Sequence, residues 1–510
     1  MPTIEHEFRA RASRIPRQGV GLSVDVYTPD LFELVEALDD RRLEYGYLEI
    51  FKASQPAFAE VRRRLPHTRF QYHAEGLWVT QPGLELSAQF ETALATAAGH
   101  LATLDCDWVN HECAAKQMAG YSFGTYLPPL FTNESADLVA ENASLIQRRL
   151  GTSGSFLPDG EPLLLIEIPP LTYFGVGELP IADFFRRITA QVSCGLVLDV
   201  GHIWTVYRYT GEWRRRPVTE FLRDFLDTFP LERVIQIHLA GLDVHRTNVE
   251  HAKDPERQAA DSICPPLWID THGAPIPEVL WDMLAQVVSH PRLIHLKGMA
   301  LEVDTKSVPQ IVTEFDRFRR RFGEWFDRLA DNGPVADAGT IGPASEFHVE
   351  QHEKGDVAGQ YDRYARMVGD QSDRTPPPRL PLLGTDHESL DLYRRRYLPH
   401  EILTWGGDLR EMFPETCRYL DDREISLSVF VQYWFREPRT VEVDYDFFLL
   451  KLDWFVEFVK EVLPDAGETA AREAEELRSA YQAACEPAEN GVPRQARERA
   501  MTIPLTMDHE

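Results

Sequence analysis

The chain has 510 residues, 43% of them hydrophobic, which is too long for one ordinary domain and too apolar for a disordered polypeptide. Acidic residues outnumber basic ones 81 to 53, a formal net charge of -28 that repels nucleic acid and anionic membrane on average. No apolar run reaches the roughly 18 residues that span a bilayer, MPTIEHEFRARASRIPRQ lacks a signal core, and the six cysteines form no CxxC pair, so reduced thiols in a cytoplasm are expected.

Between residues 17 and 330, β-rich runs alternate with helical patterns. In order the runs are GVGLSV from Gly19, YGYLEIF from Tyr45, TRFQYHA from Thr68, DWVNHE from Asp107, PLLLIEI from Pro162, GLVLDVGH from Gly195 and RVIQIHLAG from Arg233, with an eighth inside RLIHLKGMALEVD from Arg292. They are apolar enough to be buried on both faces, as parallel strands are. Seven or eight strand–helix units in this length predict a TIM-type (β/α)8 barrel, with a doubly wound sheet as the competitor. No GxGxxG follows a strand, which argues against a dinucleotide site. Residues 331–385 are rich in Gly, Pro and Ala and read as a linker with one helix, GQYDRYARMVG. Within it, EFHVEQHE sets His348 and His352 four apart without forming HExxH, and reads as solvated surface. Residues 386–465 turn helical and aromatic, a small mostly α-helical domain, and 466–510 read as a charged helix and a tail. The stripe YDFFLLKLDWFVEFV reads as core rather than as a groove.

Barrel strands are apolar inside, so a His, Asp or Glu at a strand's C-terminal end projects into the mouth, where this architecture carries its sites. Seven segments end that way. TRFQYHA offers His73, DWVNHE offers His111 and Glu112, and LLLIEI offers Glu167. LVLDVGH offers Asp199 and His202, VIQIHLAG offers His238, WIDTHG offers Asp270 and His272, and MALEVD offers Glu302. Any one alone reads as a buried group with a hydrogen-bond partner. Together, mixed imidazole and carboxylate donors suit Zn, Fe or Mn rather than a soft thiolate site. They outnumber the positions on one ion, so two or three ions bridged by carboxylates such as Glu167 and Glu302 are expected, able to clamp a substrate oxygen or activate water or dioxygen. Cys113, beside this set, reads as a small buried residue.

GVGLSV, CGLVLDVGHIW, IQIHLAG, IDTHGAP and LEVDTKSVP, in this order over residues 17–325, resemble the multinuclear non-heme iron-dependent oxidative enzymes. The oxidase of methanobactin biosynthesis is one of these, within the xylose isomerase-like barrel superfamily that also holds endonuclease IV. The resemblance implies two or three irons, Fe(II)/Fe(III), held by the residues from His73 to Glu302, with Asp199, His202 and His238 acting through the cluster. It implies dioxygen as co-substrate and, as target, a residue of a ribosomally made precursor peptide, Cys first, Asp or another residue otherwise. The sequence departs from the family pattern in places. Asp25 stands where the family has a first-strand His, and NHEC exchanges the Glu and His columns, leaving either His111 or Glu112 as ligand. Ile168 replaces an Asn and Leu242 a His, with His245 nearby. The last ligand is Glu302 or, if RLIHLKG forms strand eight, His295. YRRRY, FPETCRYLDD and the aromatic helix after them resemble the oxidase's partner protein, here fused to the barrel and implied to bind the peptide. Rival readings are a zinc-dependent hydrolase of the endonuclease IV kind, a metal-dependent sugar isomerase on the same barrel, and a non-catalytic peptide-binding protein.

Overall fold

The structure, a computed structural model, describes residues 3–27, 29–51, 53–152, 161–245, 267–323, 325, 355–369, 380–384, 387–439 and 446–485. His348 and His352 lie outside the described residues, as do most of 331–385 and the tail after 485.

Eight parallel strands close into a barrel in chain order: β1 Gly19–Val24, β2 Leu48–Ile50, β3 Phe70–His73, β4 Trp108–Glu112, β5 Leu163–Glu167, β6 Gly195–Asp199, β7 Val234–Leu239 and β8 Gly298–Glu302. Closure is made by β1 against β8, Gly19 opposite Gly298 through Ser23 opposite Glu302. The eight β-rich runs of the sequence are these strands, and helices cover the outside, as in a TIM-type barrel.

Strand periodicity explains what fills the barrel. Side chains alternate between faces. One set, including Leu164, Ile166, Leu196, Leu198, Met299 and Leu301, joins the large core under the helices. The other set forms a smaller cluster of Tyr47, Trp108, Leu163, Leu165, Val197, Ile235 and Ala300, to which the helix Ile4–Arg14 adds Phe8, Ala12 and Ile15. Polar groups in that plug are paired: Trp108 Nε1 donates to Gln236 Oε1 at 3.0 Å, and Gln236 Nε2 to the Tyr47 hydroxyl at 3.0 Å. Two residues further along the strands, the inward positions become Glu49, Glu167, Asp199, His238 and Glu302.

One expected strand end is different. Leu267–Asp270 of WIDTHG pairs antiparallel with Leu242–His245 in a two-stranded ribbon and is not a barrel strand. Asp270 and His272 therefore reach the mouth from an excursion that follows β7.

After β4, the hairpin Ala115–Met118/Tyr121–Leu127 carries the C-terminal helices. Trp434 Nε1 donates to the Ser122 carbonyl at 2.7 Å, and Arg439 N to the Gly120 carbonyl at 2.7 Å. Gly124, at φ +76°, leaves room for the Phe447 ring, which a Cβ would meet at 2.8 Å. The helix Val357–Gly369 adds Tyr361, whose hydroxyl is 2.7 Å from Ser135 Oγ, and Tyr364, whose hydroxyl donates to the Pro128 carbonyl at 3.1 Å. One apolar cluster runs from the barrel's outer layer through Tyr393 and Phe430 to Phe458. The helix Phe447–Val462 buries Phe447, Leu452, Trp454, Phe455 and Phe458 in it, so the aromatic stripe is core. No helix among the described residues is long and apolar enough to cross a membrane. Cys106, Cys113, Cys194 and Cys417 are buried free thiols.

Candidate metal centre

Strand ends bring the acidic and imidazole side chains together. Donor atoms of Glu167, Asp199, His238 and Glu302 lie within 4.8 Å of one another, and all four residues are buried. His238 Nδ1 is 3.0 Å from Glu167 Oε1 and 3.2 Å from Glu302 Oε1. His73 Nε2 adds a contact to Glu167 Oε2 at 3.4 Å.

A second group adjoins the first. Asp199 caps the helix Val200–Tyr209 by accepting from the His202 amide at 2.7 Å, the ordinary reason for an Asp just before a helix. That turn sets the His202 ring beside Asp199 and Asp270, with Nε2 3.9 Å from Asp199 Oδ1 and 3.2 Å from Asp270 Oδ2. His272 Nε2 lies 3.4 Å from Asp270 Oδ2 and 3.2 Å from Glu302 Oε2, joining the two groups through Glu302. The Phe51 ring packs 4.8 Å from that of His73 and 6.2 Å from that of His272.

The structure separates the paired alternatives. His111 is buried with both ring nitrogens against backbone: Nε2 accepts from the Leu77 and Trp78 amides at 3.2 and 3.3 Å, and Nδ1 is 2.7 Å from the Glu112 carbonyl. Neither nitrogen is left for an ion. Glu112 faces the cluster, 3.9 Å from His202 Nδ1. His295 precedes β8 and stacks edge-on against Phe8 of the plug helix at 5.4 Å, at the far end of the strand from Glu302. Asp25 accepts from the Tyr27 amide at 2.6 Å in a local turn.

Three side chains and one backbone carbonyl that contact this set were not among the candidate ligands read from the sequence. Glu49, on β2, is fully buried, and its Oε1 is 2.9 Å from His238 Nε2. Asn110 Nδ2 donates to Glu167 Oε2 at 2.5 Å. The Ile168 carbonyl lies 2.5 Å from His202 Nδ1, and Asp304 pairs with His272 Nδ1. Inward register was the available signal for Glu49, since Tyr47 two residues earlier belongs to the plug.

Electrostatics follow from crowding acids and imidazoles away from water. Burial pushes Glu112 up to about 8 and Asp199 up to about 7. Burial opposes charge on His73, but Glu167, Glu49 and Glu302 outweigh it and hold the imidazole up at about 9. Against burial, the carboxylates around His202, His238 and His272 raise each well above the ordinary imidazole value. Glu167 is held well below its usual range by His238 and His73, again against burial. Even so, several buried polar atoms meet no hydrogen-bond partner: Glu49 Oε2, His73 Nδ1, Asp199 Oδ2 and Asp270 Oδ1. Buried groups are ordinarily satisfied, and the unpaired Asp199 oxygen beside the Glu167, His238 and Glu302 donor atoms fits a cation.

Residues 33–321 match the family described as RiPP precursor modification enzyme MbnB/TglH/ChrH, RiPP denoting ribosomally synthesised and post-translationally modified peptides. The chain belongs to this family. The match ends at residue 321, so the C-terminal helices lie beyond it. A UPF0276 protein of Caulobacter vibrioides is 32% identical over 127 residues, 25% of this chain and 37% of that protein. One from Caulobacter sp. (strain K31) is 29% identical over 170 residues, 32% of this chain and 49% of that protein. The chain thus spans half or less of the length of these curated relatives. Among solved structures, endonuclease IV from Thermus thermophilus is similar at 19% identity and a TM-score of 0.38, covering 61% of this chain and 100% of that one.

Proposed function

We propose that this RiPP-family barrel holds two or three iron ions and uses dioxygen to oxidise a residue, Cys first and Asp or another otherwise, in a ribosomally made precursor peptide in the cytoplasm. The observation that carries the reading is the cluster itself. Glu49, Glu112, Glu167, Asp199, Asp270 and Glu302 converge on His73, His202, His238 and His272. Six carboxylates beside four imidazoles offer more oxygen and nitrogen donors than one ion can take. Oxygen and nitrogen donors without thiolate suit iron or zinc.

Glu167, Asp199, His238 and Glu302 would hold one ion, His73 and Glu112 would extend the set on one side, and His202, Asp270 and His272 on the other. Iron held there supplies one-electron oxidation with dioxygen as the terminal oxidant. The chain's own part is to place and dry the site. Glu49, Asp199 and His238 are fully buried, which keeps water away and strengthens each charge interaction. Asp270 and His272 are the more open members, their side chains 11% and 23% exposed, so the peptide residue enters over them. The helical part, 386–465, is proposed as the peptide-holding domain. It packs on the hairpin that follows β4, the strand that carries Glu112.

The test is elemental analysis and absorption spectroscopy of full-length protein purified without oxygen. Two or three irons per chain, with a spectrum that changes in air, are expected. Stoichiometric zinc without iron would replace the oxidase by a hydrolase or isomerase, and no metal after reconstitution would leave a peptide-binding protein.

A further inference from the structure

We propose that Glu49 is a positioning residue that holds His238 with Nδ1 turned to the metal cluster. The inference rests on the metal reading above. His238 has two ring nitrogens facing opposite environments. Nδ1 lies 3.0 Å from Glu167 and 3.2 Å from Glu302. Nε2 faces Glu49 Oε1 at 2.9 Å, an ion-pair contact whose angle does not make a hydrogen bond. Glu49 is itself held, because Ser23 Oγ on β1 donates to the same oxygen at 2.9 Å. Its donor atoms are not part of the compact group formed by Glu167, Asp199, His238 and Glu302.

The same arrangement recurs around the cluster. His202 sets Nδ1 2.5 Å from the Ile168 carbonyl and Nε2 3.2 Å from Asp270. His272 sets Nδ1 against Asp304 and Nε2 towards Glu302 and Asp270. His202 and His272 each give one nitrogen to the cluster and the other to an acceptor fixed by the fold. A negative group at the outer nitrogen favours the ring proton there, leaves the inner lone pair for an ion and fixes the ring plane. For His238, whose inner nitrogen serves the buried centre of the cluster, the charged group at the outer nitrogen is Glu49.

Full-length wild type and Glu49→Gln, stripped of metal, are titrated with Co(II), followed by its ligand-field absorption and by elemental analysis. Gln keeps the size and removes the charge. The expected result is an unchanged number of ions at saturation, with one bound about 10–100-fold more weakly and its band shifted. Ser23→Ala, which leaves Glu49 unanchored, shifts the same band by less, and His238→Ala loses that ion. Wild-type affinity and bands in Glu49→Gln overturn the proposal. So does loss of a whole ion at saturating Co(II), which would make Glu49 a ligand. If Glu49→Gln does not fold by circular dichroism, Ser23→Ala decides, and an unchanged affinity and band there overturn the proposal. A wild type that takes up no Co(II), Fe(II) or Zn(II) removes the metal reading itself, whereas a loaded wild type matched by Glu49→Gln removes only this inference.

Discussion

His238 and His111 both lie at the mouth of the barrel and do different work. His238 is surrounded by carboxylates, whereas His111 is a hub for backbone amides. Replacing His238 or Asp199 with Ala should reduce bound metal by at least one ion per chain and abolish turnover, read by elemental analysis and oxygen uptake. His111→Ala should instead keep the wild-type metal content. It should lose about 2–4 kcal/mol of stability in urea unfolding, because two buried amides lose their acceptor and a cavity opens. Metal loss in His111→Ala with unchanged stability would reverse the assignment at NHEC. The pair shows how far residue type alone can be read. A His at a strand end is either a ligand or a backbone acceptor, and the choice depends on where the Leu77–Trp78 loop lies.

Among the elements, the helix Phe447–Val462 makes two testable commitments. Lys451 is buried on it, donating to the Trp405 and Gly407 carbonyls, and burial lowers its pKa to about 7. The folded state then binds fewer protons than the unfolded state between about pH 7 and the ordinary lysine value. Stability from this group therefore rises as pH climbs through that window and is lost as pH falls towards 7. Glu401 nearby, pushed up by burial to about 7, acts in the opposite sense below neutrality, losing stability as pH rises towards 7. Over pH 7 to 9 wild type should gain about 2 kcal/mol relative to Lys451→Met, in urea unfolding of both proteins at the two pH values, because the other groups that titrate in this window are common to both. The second commitment is Gly124. Its φ of +76° and the Phe447 ring 2.8 Å from a Cβ position make Gly124→Ala costly twice over, by about 1–3 kcal/mol. Early proteolytic cleavage ahead of the C-terminal helices, with metal content unchanged, is expected. Equal protease resistance would mean that the hairpin is not what anchors them.

For the molecule as a whole, the proposed metal set would be coupled to the fold. Mutually close carboxylates repel one another unless cations lie between them, so ion binding stabilises the folded chain by mass action. Chelation should lower the melting temperature by several degrees, restored by Fe(II) or Zn(II). A melting temperature indifferent to chelator would argue against a metal role for the cluster.

Strand count, strand order and the barrel were legible in the sequence because a buried parallel strand leaves a short, nearly continuous apolar run whose C-terminal end is marked by a charged residue. Membership of the RiPP modification family was legible in phrases such as IHLAG and IDTHG. Three things were not. Glu49 sits in YGYLEIF as one acid on an apolar strand, and only its register with Tyr47 marks it as inward. Asp270 and His272 were read as a strand end although Asp270 ends an antiparallel ribbon after β7 and His272 follows it. The choice of Glu112 over His111 as the side chain facing the cluster turns on which backbone amides stand nearby, whereas the phrase LEVDTKSVP itself favours Glu302 over His295. Local chemistry sets which residue types can bind an ion and how strands form. Which of them meet depends on barrel closure and loop return, which are contacts between residues far apart in the chain and leave no mark on any short stretch of it.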